Sequence, residues 1–316
     1  AMHNFGLQAV NAEPFTWALE LLERVPSDHA LYGELLMSAA WGCRSRGDRQ
    51  RAHELIAEFE RLAADGTIAP APRSLYLLGT MYWFFRETER STELLHRATT
   101  DARAAGDTWT EQRGLAVLSM AQDSFDRTVA EQSARASLAV GRAASAPLLI
   151  GNGLLPLIGV VIHTEPGRAI EIVEEMIDVA RDAGDVWTEA TGVRLKAHAL
   201  SRAGELAAAS RTYVEAIDLN GVGDFGELLW YTVLNIVEHL TRVDDPAAAA
   251  VALGAFSAAT AAPSDDLVAR AIERLRAGID QQLDGRGAEL EATGASMRLA
   301  ELLNQLRSHL INHADT

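Results

Sequence analysis

The sequence predicts an all-α protein: a right-handed superhelix, or α-solenoid, of about six stacked helix pairs with a 39–40 residue period. Three observations predict it. Ala102–Glu111 reads ARAAGDTWTE and Ala180–Glu189 reads ARDAGDVWTE, so Trp109 and Trp187 hold matching positions two periods apart. A fixed period of this size marks repeated units that bury an apolar face only by stacking. A small residue opens an apolar stripe at Ala52, Ser91, Ala130, Ala169, Ala209 and Ala249, with successive spacings of 39, 39, 39, 40 and 40. Finally, strand signals are nearly absent, with no Asn-Gly hairpin and no sustained period-two alternation.

Each stripe reads as the second helix of a pair, helix B. Three and four residues after the anchors come Leu55/Ile56, Leu94/Leu95, Ser133/Ala134, Ile172/Val173, Thr212/Tyr213 and Ala252/Leu253. Seven residues after them come Phe59, Ala98, Ser137, Met176, Ala216 and Phe256. Positions i, i+3, i+4 and i+7 share one helix face, and a small first residue lets a neighbour approach closely. The third stripe, mostly Ala and Ser, is placed by the period. Gly66, Gly106, Gly184 and Gly223 fall where helix B should end on a C′ glycine. Asp107 and Asp185 follow as N-caps of the next helix A. Gly47-Asp48, Glu165-Pro166-Gly167, Gly204 and Asp245-Pro246 separate helix A from helix B. The expected division is an N-terminal helix (Pro14–Val25) in residues 1–28, repeats over 29–262, and capping helices (Leu267–Leu283, Met297–Leu310) in 263–316. Caps are needed because end units of an array expose an apolar face.

Composition narrows the function. With a formal charge of −16, the chain lacks the clustered cations that a nucleic-acid groove needs, so direct nucleic-acid binding is not expected. Of 28 basic residues only Lys196 is lysine. The single cysteine, Cys43, lies in a helix A pattern and reads as a core residue; without a disulfide framework the cytoplasm fits. No signal peptide is visible, and the opening Ala-Met-His-Asn reads as a tag remnant on part of a longer protein. Ala146–Ile162 carries no charge. It is short for a bilayer and is broken by Pro147 and Pro156, so it reads as a buried helix A, kinked at Pro156, and not as a membrane span.

The helix–turn–helix units, with Ala opening helix B and Gly-Asp loops, resemble tetratricopeptide repeats with lengthened helices. The longer units resemble those of the large LuxR/MalT-type signal-transduction ATPase regulators of actinobacteria and their adenylate-cyclase-linked relatives. Ala250–Phe256 (AVALGAF) is similar to a helix of that family, as are Ile272–Ile279 (IERLRAGI) and the closing Glu289–Leu306 stretch. Leu290 and Thr293 stand where the family usually has aromatics. The resemblance implies a sensor arm that passes a ligand or partner signal to NTPase or DNA-binding parts of a parent chain. No G-x-x-x-x-G-K-[ST] loop is present, and none of these activities is expected of this chain by itself.

The sequence therefore points to a non-catalytic binding module without cofactor. The expected partner is a protein or peptide, including other domains of the parent. A small-molecule effector enclosed by the superhelix, or self-association through the apolar fourth unit, are the alternatives. Helix A faces are expected to line the groove. Tyr76, Tyr82, Trp83, Phe84 and Phe85 form a dense aromatic helix that either packs between units or, with Arg86, lines the groove. Arg194, His198 and Arg202 form an i, i+4, i+8 row suited to an anionic ligand or acidic tail, or else pair with Glu189 and Asp185 on a solvated face. Phe225, Trp230 and Tyr231 are further groove candidates, whereas the recurrent Trp109 and Trp187 read as packing residues. His309 and His313 are spaced to share a metal, but only Asp315 is near them in sequence, and no metal site is expected. Glu174 and Glu175 read as a solvated face, and His29, His53, His96 and His239 have no ligand partner at useful spacing.

Overall fold

The computed structural model describes residues 13–123, 125–223, 226–259 and 266–314, and among them places sixteen α-helices and no strand. Helix α1 is Glu13–Leu22. Six pairs follow: α2 Tyr32–Ser45 with α3 Arg49–Ala64, α4 Pro72–Phe84 with α5 Thr88–Ala105, α6 Thr108–Gln122 with α7 Arg127–Ala143, α8 Pro147–Val161 with α9 Pro166–Ala183, α10 Val186–Ala203 with α11 Leu206–Gly223, and α12 Gly226–Arg242 with α13 Pro246–Ala258. Three helices close the chain: α14 Asp266–Gln282, α15 Gly287–Ala295 and α16 Leu299–Ala314. Each anchor falls in the second helix of its pair, so the period of the sequence is the period of the structure.

The stripes are buried as the spacing demands. At i, i+4 and i+7 every stripe residue is at most 3% exposed, from Ala52, Ile56 and Phe59 to Ala249, Leu253 and Phe256. Position i+3 is less strict, because Leu94, Ser133, Ile172 and Thr212 are only half-buried at the stripe edge. The weak third stripe is held by polar bonds: Gln112 Nε2 donates to Ser137 Oγ (2.8 Å) and to the Leu149 carbonyl (3.3 Å), and Ser137 Oγ donates to the Gln112 carbonyl (3.0 Å).

The punctuation is realised locally. Gly106 and Gly184 end α5 and α9 in the left-handed region, at φ 69° and 66°. The Asp107 and Asp185 carboxylates then accept from the N–H groups of Thr110 (3.1 Å) and Thr188 (3.0 Å). Arg103–Glu111 and Arg181–Glu189 repeat the same 2.7 Å ion pair across these turns. Asp48, Asp126 and Asp245 cap α3, α7 and α13 in the same way.

The chain divides into two compact units, residues 1–156 and 157–316, with the boundary inside α8. In the first unit one core runs from Phe15 and Ala18 of α1 through Leu36, Phe59, Tyr76 and Leu95 to Leu118 of α6. In the second, Ala197, Tyr213, Val233, Leu253 and Phe256 share a core with Val268, Ile279, Leu302, Leu306 and Leu310 from the closing helices. Helix α8 runs continuously through Pro156, and no helix among the described residues is long and apolar enough to cross a membrane.

Two capping helices were expected and three are present; the extra one, α15, lies within the predicted closing stretch. It packs on α13 with backbones nearly touching. A Cβ on Gly254 would fall on the Glu291 carbonyl, and one on Gly294 on the Val251 carbonyl. Helix α16 lies along α11, where Arg307 pairs with Asp218 and Arg211 Nη1 donates to the Ala314 carbonyl (2.9 Å). Since carbonyl oxygens cannot rotate away as a side chain can, Gly254→Ala should cost about 1–3 kcal/mol by overpacking. Gly278→Ala, in α14 with nothing within 4 Å of the added methyl, should instead be neutral or stabilising. Thermal unfolding of the two variants checks this, and equal melting temperatures would refute the α13–α15 contact.

Candidate functional site

Helices α10 and α12 are adjacent A helices of the second unit. Ala190, Val193, Ala197 and Leu200 of α10, and Val233, Ile236, Val237 and Leu240 of α12, point into the core. That periodicity leaves Arg194 and Arg202 on one flank of α10, and Tyr231, Asn235, Glu238 and Arg242 on the facing flank of α12. Arg194 Nη1 donates to Asn235 Oδ1 at 2.7 Å, and its guanidinium carbon lies 6.0 Å from the Tyr231 ring centroid. Two turns on, Arg202 Nη1 (2.7 Å) and Arg242 Nη2 (3.2 Å) both donate to Glu238 Oε1.

The three residues read as one basic row have three different fates. Arg202 is neutralised by Glu238. His198 is buried between Arg194 and Arg202 with its ring 6.1 Å from that of His163, and loss of hydration, aided by both arginines, drives its pKa down to about 3. It is a neutral residue at ordinary pH and adds no charge. Burial also lowers Arg194, whose Nε is buried without a hydrogen-bond partner. Its expected carboxylate partners are engaged elsewhere: Glu189 with Arg181, and Asp185 with the Thr188 N–H and hydroxyl. Burial pushes Glu238 up, but the Arg202 and Arg242 guanidinium groups bonded to it outweigh burial and hold the carboxyl below its ordinary value. The face thus carries three guanidinium groups against one carboxylate, in a chain whose net charge is −16.

The first unit has a related feature. Arg113 of α6 donates from Nη1 to Asn152 Oδ1 of α8 (2.9 Å), and its Nε is likewise buried without a hydrogen-bond partner. The aromatic helix α4 mostly packs. Tyr82, expected in the groove, is buried, its hydroxyl donating to Glu60 (2.7 Å) with Arg90 over its ring; burial raises its pKa. Tyr76 is buried edge-on to Trp109 (5.7 Å), and Phe85 stacks on His53 (4.1 Å). Trp83 is half-buried against Phe84 (4.7 Å), whose own ring carries the Arg44 guanidinium at 3.8 Å. Arg86 is half-buried in the turn after α4 with φ 64°. Trp230, another groove candidate, is buried edge-on to Phe256 (5.9 Å), while Tyr231 beside it stays half-buried. Phe225 lies outside the described residues. Cys43 is free and buried, and burial raises its thiol pKa.

Two polar networks were not legible in the sequence, because their members meet only on folding. His239 of α12 is fully buried, with Nδ1 2.9 Å from Ser201 Oγ and Nε2 2.8 Å from Ser210 Oγ. It therefore ties α10, α11 and α12 together, and lost hydration lowers its pKa to about 4. His309 Nδ1 and His313 Nε2 both meet Asp245 Oδ2, at 2.7 and 3.3 Å, a partner distant in sequence. Both rings thus bond to the carboxylate that caps α13, and no group of three such ligands among the described residues could hold a metal.

No protein-family model matches the chain, and no curated protein does. Solved structures do. A Rap protein in complex with competence and sporulation factor aligns with 96% of this chain and 81% of its own, at a TM-score of 0.63 and 10% identity. The apo form of RapI aligns with 90% of this chain and 97% of its own, at 0.55 and 10% identity. At that identity the likeness shows the fold, an all-α helical-repeat solenoid of the tetratricopeptide-like kind.

The buried histidines set a pH dependence. Unfolded histidine takes up its proton near pH 6.5, but folded His239 and His198 only near 4 and 3. Below pH 6.5 the unfolded chain binds more protons, so stability falls as the pH drops toward these values. His198→Gln should flatten the rise of unfolding free energy between about pH 4 and 6.5; urea titrations giving equal slopes for both proteins would contradict the assignment.

Proposed function

We propose that this chain is a non-catalytic helical-repeat module that binds an extended segment of a protein or peptide along the A-helix face of its second unit. The observation that carries this reading is the Arg194–Asn235–Tyr231 cluster beside Arg202–Glu238–Arg242. The buried apolar residues of α10 and α12 build the core. At the cluster, polar and aromatic groups on two neighbouring helices converge, with hydrogen-bonding capacity left over on Arg194. Stacked helix pairs offer such elongated surfaces to partners, and the Rap structure of the same fold carries competence and sporulation factor. The half-buried Tyr231 belongs to the proposed contact set, and Trp230 supports it from the core; Trp83 at the end of α4 and Arg86 in the turn after it are a separate candidate contact of the first unit. The histidines most shifted in pKa, His198 and His239, are held neutral and buried, which suits packing and not proton transfer.

The parent context rests on the sequence resemblance. In this proposal residues 29–262 form the binding array, flanked by 1–28 and 263–316, and serve as the cytoplasmic sensor arm of a LuxR/MalT-type regulator. A small-molecule effector is the second reading. What favours it is a cleft of about 750 Å³ lined by Thr16, Tyr32, Arg46, Arg51 and Glu58 of the first unit, which is of ligand size.

Native mass spectrometry of the purified chain separates the two, since an effector would appear as a small mass that leaves on unfolding. For the binding face, a peptide selected from a displayed library on the wild-type chain should lose about 10-fold or more in affinity with Tyr231→Ala or Asn235→Ala. Both side chains are half-buried at the edge of the core, so the fold should persist in both variants. Unchanged affinity in both variants would move the binding site off this face.

A further inference from the structure

Arg194 differs from the other cations of its face. Arg202 and Arg242 share the Glu238 carboxylate, whereas Arg194 gives one N–H to a neutral amide oxygen, at 2.7 Å from Asn235. Its Nε is buried with no hydrogen-bond partner, and among the described residues no carboxylate lies within ion-pair distance. A guanidinium carries five N–H donors, and Asn235 takes one of them. Withdrawing such a cation from water without a counter-ion is costly, and an incoming carboxylate recovers that cost through two parallel hydrogen bonds. An amide suits the supporting role, because it orients the fork without neutralising it. Arg113 and Asn152 repeat the device within the first unit, at 2.9 Å and with a second unpartnered Nε.

We infer that the segment bound at the α10–α12 face presents an Asp or Glu side chain to the Arg194 guanidinium, which Asn235 holds in position. This rests on the binding-face reading above and names the chemistry that face selects. A side-chain carboxylate fits better than a chain terminus. Capture of a terminus draws on free backbone N–H groups, and Arg194 and Asn235 lie mid-helix, where those groups are spent inside α10 and α12.

The test is a positional-scanning library of acetylated, C-terminally amidated hexapeptides, read by fluorescence polarisation on the full chain. One position should prefer Asp or Glu over Asn or Gln by about 10-fold or more. The preference should shrink with added salt. It should vanish in Arg194→Gln and persist, weakened, in Arg194→Lys, which keeps the charge but not the fork. Peptides that bind without an acidic preference, or a preference that survives Arg194→Gln, overturn the inference and leave the binding face standing. A library that does not bind removes the binding-face reading and this inference with it. Should Arg194→Gln fail to fold, a Glu→Gln exchange in the selected peptide decides on the wild-type chain: equal affinities overturn the inference.

Discussion

Close approach of helix backbones is the constraint on which the rest of this molecule depends. Each B helix turns an Ala or Ser inward at the head of its stripe, and all six are fully buried. Ser91 goes further and donates its hydroxyl to the Gly79 carbonyl of its partner helix at 2.7 Å. The A helices answer with glycine. A Cβ on Gly114 would lie 2.6 Å from Thr99 of the preceding B helix, and one on Gly192 2.6 Å from Ile177. Interiors at this density do not absorb an extra methylene without displacing something. The period of the sequence is therefore the period at which small residues must recur.

That packing decides what is left for function. Once the apolar positions of α10 and α12 are committed to the core, the remaining flanks can only face each other across the A-helix layer. Arg194 meets Asn235 and Arg202 meets Glu238 because the helices are held in register from below. The same register buries His198 between two cations, and it leaves the imidazole neutral. Charge on this face is consequently carried by guanidinium groups that do not titrate in the physiological range. Binding of an anion here should depend on salt far more than on pH.

The closing helices obey the same rule with different residues. Gly254 and Gly294 let α13 and α15 meet backbone to backbone, and Leu302, Leu306 and Leu310 of α16 complete the core of the second unit. Asp245 joins two tasks: it caps α13 through the Ala248 N–H (3.2 Å) and receives both His309 and His313 from α16. Burial raises the Asp245 pKa, but the Ala248 N–H and the two imidazoles outweigh it and keep the carboxyl below its ordinary value.

The sequence by itself determined the all-α class, the repeat period, the six helix pairs, and the local signals that start and stop them. All of these are set by interactions within about one helical turn: an Asp side chain on a nearby N–H, a glycine at positive φ, an apolar residue every three or four positions. The A-helix glycines Gly114, Gly153 and Gly192 recur at the same period as the stripes, but only the structure showed that each meets a neighbouring helix. Only the tertiary structure decided which candidate side chains face outward. Tyr82 and Trp230 look like groove aromatics in sequence, yet each is buried: Tyr82 bonds Glu60 with the Arg90 guanidinium over its ring, and Trp230 meets Phe256 edge-on. His239 and the His309–His313 pair found Ser201, Ser210 and Asp245 across long stretches of chain, and no local pattern encodes such meetings. Arg194 was visible as a base, but not as one left without a carboxylate, because that depends on where every nearby acid is already spent.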